Sequence, residues 1–547
     1  MNHFLKFLRD ESGPNNFRIV AMAIFAGVVN GLLVSVIVTA AEKSASGGSD
    51  LQYLAFFMLC FGAFLFSRHF VLVQTNRLTE EIVTKIRLKI IDKIRRSDLL
   101  LFERVGKVRI ASALSHDTMT LSECASMLAS ALSSAIMLIV AVAYIAFLSR
   151  TAFILTMLSI GAGVVYYQMS RKSIDMDLRA STQKEHEFLS LLGHLLDGFK
   201  EVKMHEERNE DLYENHICTT AYCGQQLKTR AGEGFAKISV FSQAFFYALI
   251  GVILFILPTL QKDDTGVVVQ IASVILFIIG PLTDLVGSAP SLMRANVAVA
   301  NIQELEDALN ANSVFEPGVK DLSVLSHVPE MEEIACDEVT FRYNDLNGES
   351  FSIGPISLRI PAKEILFIVG GNGSGKSTFI KVLAGLYPPA SGRLTMNGHA
   401  ISPTNLIQYR SLFSTVFTDF HLFDRPYGLA GEAESHLDDL LRTFKIWDKT
   451  SLRHGIFSST DLSTGQKKRL ALAISLLERR PVMLFDEIAA DQDPEFRKYL
   501  YEVILKELQK QNKTLIVITH DDSYFHLADR VLKMEYGQIV SEQMRGA

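Results

Sequence analysis

The chain has 547 residues, 48% of them hydrophobic and 21% charged, with a net charge of −6 and a mean hydropathy of +0.21. That length exceeds one compact core, so at least two domains are expected. The charge argues against a nucleic-acid partner, and the five cysteines form neither a CxxC pair nor a zinc-type spacing with histidine.

Taken in chain order, six runs are long and apolar enough to cross a bilayer as helix, at about 20 residues each. They are Phe17–Ala41, Leu51–Val73, Ala125–Leu148, Ala152–Met169, Ile238–Pro258 and Val267–Leu285. The first is too long for a signal-peptide core. The third and fourth form a tight hairpin through Ser149, Arg150 and Thr151. Lys and Arg crowd two connections, ten between Arg77 and Arg109 and nine between Arg171 and Arg230. The other connections hold Lys43, Arg150 and Lys262. The positive-inside rule puts both basic segments and both termini in the cytosol. Ile82, Ile86, Ile90 and Ile94 recur every four residues, which predicts helices that continue out of the membrane. Gln168, Gln243, Gln270 and Asp284 are polar groups within or at the ends of the spans, where they face a cavity or another helix.

The chain therefore divides into a membrane domain over 1–312, a polar linker over 313–332 and a soluble α/β domain over 333–547. In the last, short apolar strands such as Ile365–Val369, Val482–Phe485 and Leu515–Ile518 alternate with helical segments.

Gly370-Gly371-Asn372-Gly373-Ser374-Gly375-Lys376-Ser377 is a complete G-x-x-x-x-G-K-[ST] run, followed by Thr378, between an apolar strand and a helix. Glycines there let backbone N–H groups close around phosphate, and the helix N-terminus adds its dipole. The pattern calls for ATP, with Lys376 reaching the β- and γ-phosphates and Ser377 on Mg²⁺. Val482–Phe485 then ends in Asp486 and Glu487. Such a strand delivers Asp486 to the Mg²⁺ shell and leaves Glu487 to polarise the attacking water.

Leu462-Ser463-Thr464-Gly465-Gln466 resembles the LSGGQ signature of ABC ATPases, with Thr464 in place of the first glycine. The resemblance implies that Ser463, Thr464, Gly465 and Gln466 meet the γ-phosphate of ATP held by another subunit. It also implies that Tyr343 stacks on adenine, although strand packing is an alternative for that aromatic. Asp493 resembles the D-loop aspartate, and His520 the switch histidine. Thr418, in Phe413–Asp419, stands where the family carries a coupling-loop glutamine, so Thr418 or Asp419 is expected to take over its contact. Phe457–Asp461 lacks the usual acid-and-glycine loop.

The whole plan resembles type IV ABC exporters, six transmembrane helices followed by one nucleotide-binding domain. Phe102–Ile110 and Asp197–Lys203 are similar to their coupling segments. Val416-Phe417-Thr418-Asp419, Ser463–Arg469, Glu487–Pro494 and His520-Asp521-Asp522 resemble bacterial cyclic-peptide exporters, a group that handles lipopeptides, siderophore precursors and microcins. The resemblance implies a homodimer in lipid of the bacterial inner membrane that moves a peptide by alternating access. A lipid or multidrug exporter is the alternative. A non-transporting regulatory ATPase is a third reading, set back by the lack of any sensor domain in the sequence. Fusion of the two domains disfavours an importer.

Overall fold

The computed structural model describes Lys6 and residues 16–45, 51–256, 265–311, 329–343, 351–429 and 433–545. Most of the expected linker, 312–328, lies outside the described residues. The chain forms two compact units, one of Met1–Arg95 with Glu103–Asn312 and the other of Arg96–Phe102 with Ser313–Ala547.

The first unit is helical. Its helices are α1 (Asn16–Ala45), α2 (Leu51–Arg95), α3 (Thr118–Leu148), α4 (Arg150–Asp197), α5 (Thr219–Gly251) and α6 (Thr265–Ala311). Six stretches within these and their extensions are long and apolar enough to cross a membrane. The expected extension beyond the apolar runs is present: α2, α4 and α6 are 45, 48 and 47 residues long. Ile82, Ile86 and Ile90 are buried on one stripe of α2, as their fourfold spacing requires. Pro281 and Pro290 lie inside α6, a placement that neighbouring helices tolerate in membrane bundles.

Helix α1 meets α3 at close range. A Cβ on Gly27 would fall 2.6 Å from Ile136 Cγ2, and one on Gly31 would fall 2.5 Å from Val140 Cγ1. Small residues four apart allow this backbone approach where lipid supplies no hydrophobic drive. Gly31→Leu is expected to push α1 off α3 and lower the thermal midpoint in nanodiscs by several degrees. An unchanged midpoint would show that this contact does not hold α1 in place.

Between α2 and α3 the chain breaks into Leu99–Val105, Lys107–Ser112 and a π-turn, Ala113–Asp117. The part of the chain that joins the second unit is Arg96–Phe102, with Leu99 and Leu100 packed on that unit's core. Gly106, at φ 83°, separates it from a helix that belongs to the first unit. Asp197–Lys203 is a break at Gly198 followed by a short helix, Phe199–Met204.

The π-turn carries Asp117, only 3% exposed. Its carboxylate accepts from Asn301 Nδ2 at 3.3 and 3.4 Å. Burial pushes its pKa from the ordinary 3.8 to about 6, against the opposing pull of Asn301 and His116. A pKa raised on folding favours the folded state below pH 4, and that benefit is lost as pH rises to 6. At neutral pH the ionised form costs about 3 kcal/mol. Asp117→Asn is therefore expected to raise the thermal midpoint at pH 7.5 and to give no gain at pH 4, measured by melting across that range. An equal gain at both pH values would contradict it.

The second unit is α/β. Its strands are β1 (Glu333–Arg342), β2 (Ser352–Pro361), β3 (Ile365–Val369), β4 (Ser391–Met396), β5 (His399–Ala400), β6 (Phe413–Val416), β7 (Leu452–Arg453), β8 (Ile456–Phe457), β9 (Val482–Asp486), β10 (Thr514–Ile518), β11 (Arg530–Glu535) and β12 (Gln538–Met544). One sheet has the order β12-β11-β3-β10-β9-β6 and a second the order β2-β1-β4-β5; β7 and β8 form a separate ribbon. Strands β11, β3, β10, β9 and β6 run parallel. Strands β9 and β10 are buried along their whole length, as an apolar run without alternation demands. Ligands of such sheets bind at the carboxyl ends of the strands, where Gly370, Glu487 and His520 follow β3, β9 and β10.

Candidate functional site

The P-loop leaves β3 and enters α7 (Lys376–Leu383). Gly370 sits at φ 152°, and a Cβ there would fall 2.2 Å from the Met534 carbonyl, so only glycine fits the turn. Lys376 is buried and donates through Nζ to the carbonyls of Gly370 at 2.9 Å and Gly371 at 3.0 Å. Burial lowers its pKa, while the Glu487 and Asp486 carboxylates pull it back up. Ser374 Oγ is buried with no hydrogen-bond partner among the described residues. Gly371, Asn372, Gly373, Gly375, Ser377 and Thr378 complete the same loop and first turn of α7, as their sequence order requires.

Asp486 ends β9 and is 2% exposed. Burial raises its pKa; the Ser377 and Thr418 hydroxyls lower it, and Glu487 raises it further. Among the described residues its Oδ1 finds no hydrogen-bond partner. A buried carboxylate oxygen without a partner, beside a serine hydroxyl, suits a hard cation with oxygen ligands. Ser377 and Asp486 therefore fit Mg²⁺ bound together with phosphate. Thr418 Oγ1 donates to the Asp486 carbonyl at 3.3 Å, whereas Asp419 turns to Lys381 Nζ at 3.3 Å. Of the two coupling-loop candidates, Thr418 is the one beside the acid.

Glu487 and His520 come from adjacent parallel strands and meet: His520 Nε2 lies 3.1 Å from Glu487 Oε1. Glu487 takes φ 52°, a left-handed conformation uncommon outside glycine, and its N–H donates to the Ile518 carbonyl at 3.2 Å. Tyr501, unforeseen in the sequence, steadies the histidine's neighbours. Its hydroxyl lies 2.5 Å from Thr519 Oγ1 and donates to Asp521 Oδ2 at 3.0 Å.

Helix α8 (Thr464–Leu477) starts at Ser463, which closes a capping box with Gln466. Gln466 N donates to Ser463 Oγ at 3.4 Å, and Ser463 N to Gln466 Oε1 at 3.1 Å. Ser463 and Thr464 are exposed. Among the described residues no hydrogen bond joins Ser463–Gln466 to the P-loop. Gly465 is held by Gln492 Nε2, which donates to its carbonyl at 3.0 Å.

Lys468, one turn into α8, is a second residue that the motifs did not single out. It is 4% exposed. Its Nζ donates to the Glu487 carbonyl, the Ala490 carbonyl and Asp491 Oδ2, each at 3.1 Å. Asp491 also has a left-handed backbone, φ 63°. The lysine thus pins both strained residues of the loop that carries Glu487.

Two of the expected site residues have partners within the fold. Asp493 caps α9 (Pro494–Tyr499), accepting from Phe496 N at 2.9 Å, and pairs with Arg469. The Phe496 N–H, and then Arg469, hold its pKa low. Tyr343 donates to Tyr387 Oη at 2.9 Å and sets its ring edge-on to Phe341 and Tyr387. Both side chains are thus engaged within the fold.

Comparison with known proteins agrees with this architecture. A family model described as ABC transporter matches residues 353–490. The chain is 33% identical to "ATP-binding protein SyrD" of Pseudomonas syringae pv. syringae, over 84% of this chain and 83% of that protein. It is 24% identical to an "ATP-dependent lipid A-core flippase" of Paraburkholderia xenovorans (strain LB400), over 85% of this chain and 78% of that protein. A solved bacterial Atm1-family ABC exporter with ATP bound superposes with TM-score 0.78, at 17% identity, over 96% of this chain and 95% of the other. A P-loop, a strand-end Asp-Glu pair, a signature helix and six membrane-length helices in one chain, with relatives along nearly its whole length, place this protein in the ABC transporter family, as an exporter with an ATPase coupled to transport.

Proposed function

We propose that the chain works as a homodimer in the bacterial inner membrane, both termini in the cytosol, and exports a peptide, cyclic or of siderophore type, by alternating access. In this reading 1–312 is the transport domain and 333–547 the ATPase domain, joined by 313–332. The observation that supports the catalytic half best is the Glu487–His520 pair at 3.1 Å, at the strand ends beside the P-loop. One chain has one P-loop and one signature, and the signature serine is exposed, so a second copy gives the simplest closed pair of sites.

Two ATP molecules then lie between Gly370–Thr378 of one protomer and Ser463–Gln466 of its partner, with Tyr343 toward adenine and Asp493 at the D-loop. Lys376 binds the β- and γ-phosphates. Glu487 orients the attacking water, and His520 fixes the carboxylate and contacts the γ-phosphate. Ser377 and Asp486 would hold Mg²⁺, which supplies charge neutralisation to the phosphates. Binding of ATP shifts the population toward the outward-open form, and hydrolysis restores the inward-open one.

The peptide reading is supported by the resemblance of Val416–Asp419, Glu487–Pro494 and His520–Asp522 to cyclic-peptide exporters. The flippase relatives favour a second reading, lipid export. ATPase activity of the chain in nanodiscs, measured against cyclic peptides, siderophore peptides, lipids and common drugs, separates them. Stimulation by one peptide class is expected. A response to lipids alone, or to many unrelated drugs, would replace the peptide reading.

A further inference from the structure

The Glu487–His520 pair is not held by burial: the imidazole is 45% exposed and the carboxylate 30%. An exposed side chain on a loop is free to sample several rotamers. Misplacing a reacting group by about 1 Å can cost on the order of 100-fold in rate. The backbone that carries His520 therefore needs a fixed support. Its two neighbours supply one. Thr519 is 3% exposed, and its N–H donates to the Ile368 carbonyl of β3 at 3.2 Å. Thr519 and Asp521 both turn to Tyr501, while the imidazole between them turns to Glu487.

Tyr501, 1% exposed on the π-turn Leu500–Ile504, meets both neighbours with one hydroxyl. The phenol's single hydrogen goes to Asp521 Oδ2 at 3.0 Å, so Thr519 donates to the phenol oxygen at 2.5 Å. The Asp521 N–H donates in turn to Thr519 Oγ1 at 3.0 Å. These three bonds close a ring at the base of the histidine. Burial raises the phenol's pKa, with Thr519 opposing and Asp521 adding to it, so the hydroxyl keeps its proton. The tyrosine is itself fixed, its ring stacked on Tyr524 at 4.2 Å and edge-on to Phe367 at 6.1 Å. Arg497 reaches the other carboxylate oxygen, Asp521 Oδ1, at 3.5 Å and donates to the Gln492 carbonyl at 3.4 Å. Both hydroxyls and both carboxylate oxygens of the ring are paired, the condition under which a buried polar network specifies one geometry.

We propose that Tyr501 and Asp521, with Arg497 behind them, are positioning residues for ATP hydrolysis, acting through His520 by holding its imidazole within reach of Glu487. This rests on the assignment of Glu487 and His520 to hydrolysis and adds the group that sets their separation. Core packing is the competing account of a buried tyrosine. It gives the ring a role and the hydroxyl none, so removal of the hydroxyl alone separates the two accounts.

The test is a double-mutant cycle on the full chain in nanodiscs, with hydrolysis followed by radiolabelled ATP so that slow variants are measured. Tyr501→Phe keeps the ring and is expected to lower kcat about tenfold, the size of one hydrogen bond, with KM for ATP within about twofold of wild type. The same substitution in a His520→Ala background should cost nothing further, because the group it positions is gone. Arg497→Met should lower kcat in the same way, and Arg497→Lys should restore part of it. ATP binding and the thermal midpoint, read for each variant, show that the protein is folded. Turnover by Tyr501→Phe within twofold of wild type would overturn the proposal, and so would a tenfold loss that persists in the His520→Ala background. If His520→Ala loses turnover and Tyr501→Phe does not, the ring falls and the hydrolytic pair stands. If His520→Ala itself keeps wild-type turnover, both fall.

Discussion

Glu487→Gln is expected to lower ATP turnover by about 10²-fold or more while ATP binding persists, because general-base groups contribute about 10² to 10⁴ in rate. The amide keeps the size of the side chain and its reach to His520, 3.1 Å away, but cannot take up a proton from water. ATP hydrolysis by the nanodisc-embedded variant, read together with equilibrium nucleotide binding, checks both halves. His520→Ala should fall in the same direction by a smaller factor, since the carboxylate remains. Residual turnover within a few-fold of wild type in Glu487→Gln would move the water-orienting role to another group. Thr418, hydrogen-bonded to the Asp486 carbonyl, is the neighbour to replace next.

Lys468→Met should be nearly as damaging, for a different reason. The lysine does not face the P-loop; it donates to two carbonyls and one carboxylate of the Glu487–Asp491 loop. An isosteric apolar side chain leaves those acceptors unpaired in a buried place, at about 1–3 kcal/mol for each that finds no water. Glu487 and Asp491 hold left-handed backbones, each costing on the order of 1–3 kcal/mol, that persist because their surroundings dictate them. Without the lysine the loop is expected to relax, and kcat to drop at least tenfold with the affinity for ATP little changed. Lys468→Arg, which keeps the charge and gains donors, should recover part of the rate. A drop in stability with kcat untouched would assign Lys468 a purely structural part.

These two residues also show where sequence reading succeeds and where it stops. Glu487 is legible because its chemistry is local: an apolar strand ends in two acids downstream of a P-loop. The same holds for Lys376 and the membrane spans, each a short pattern with its own physical reason; Ser463 is legible only through the resemblance of Leu462–Gln466 to the ABC signature. Lys468 stands in Lys467-Lys468-Arg469, part of the Ser463–Arg469 resemblance, with nothing local to give it a role of its own. Its burial depends on a loop that begins nineteen positions on, a contact no window reveals. Tyr501 depends in the same way on Thr519 and Asp521. The packing of Leu99 and Leu100 on the second unit's core was hidden because an apolar pair after a helix looks like the end of that helix. Asp117 gave no sign of burial, since a π-turn is a departure from the very periodicity used to read helices.

The long helices of the first unit differ in stiffness, and this sets how movement could pass along them. Helix α4 runs 48 residues, about 72 Å at the usual rise, without an internal proline. Rotating such a rod by about 5° about one end carries the other end through about 6 Å, comparable with one helical turn. Helix α6, of nearly equal length, is interrupted by Pro281 and Pro290, each of which removes a backbone hydrogen bond and permits a kink. One helix is thus built as a lever and the other as a jointed arm. Pro281 and Pro290 let α6 bend partway along its length, whereas a tilt of α4 reaches its far end undiminished.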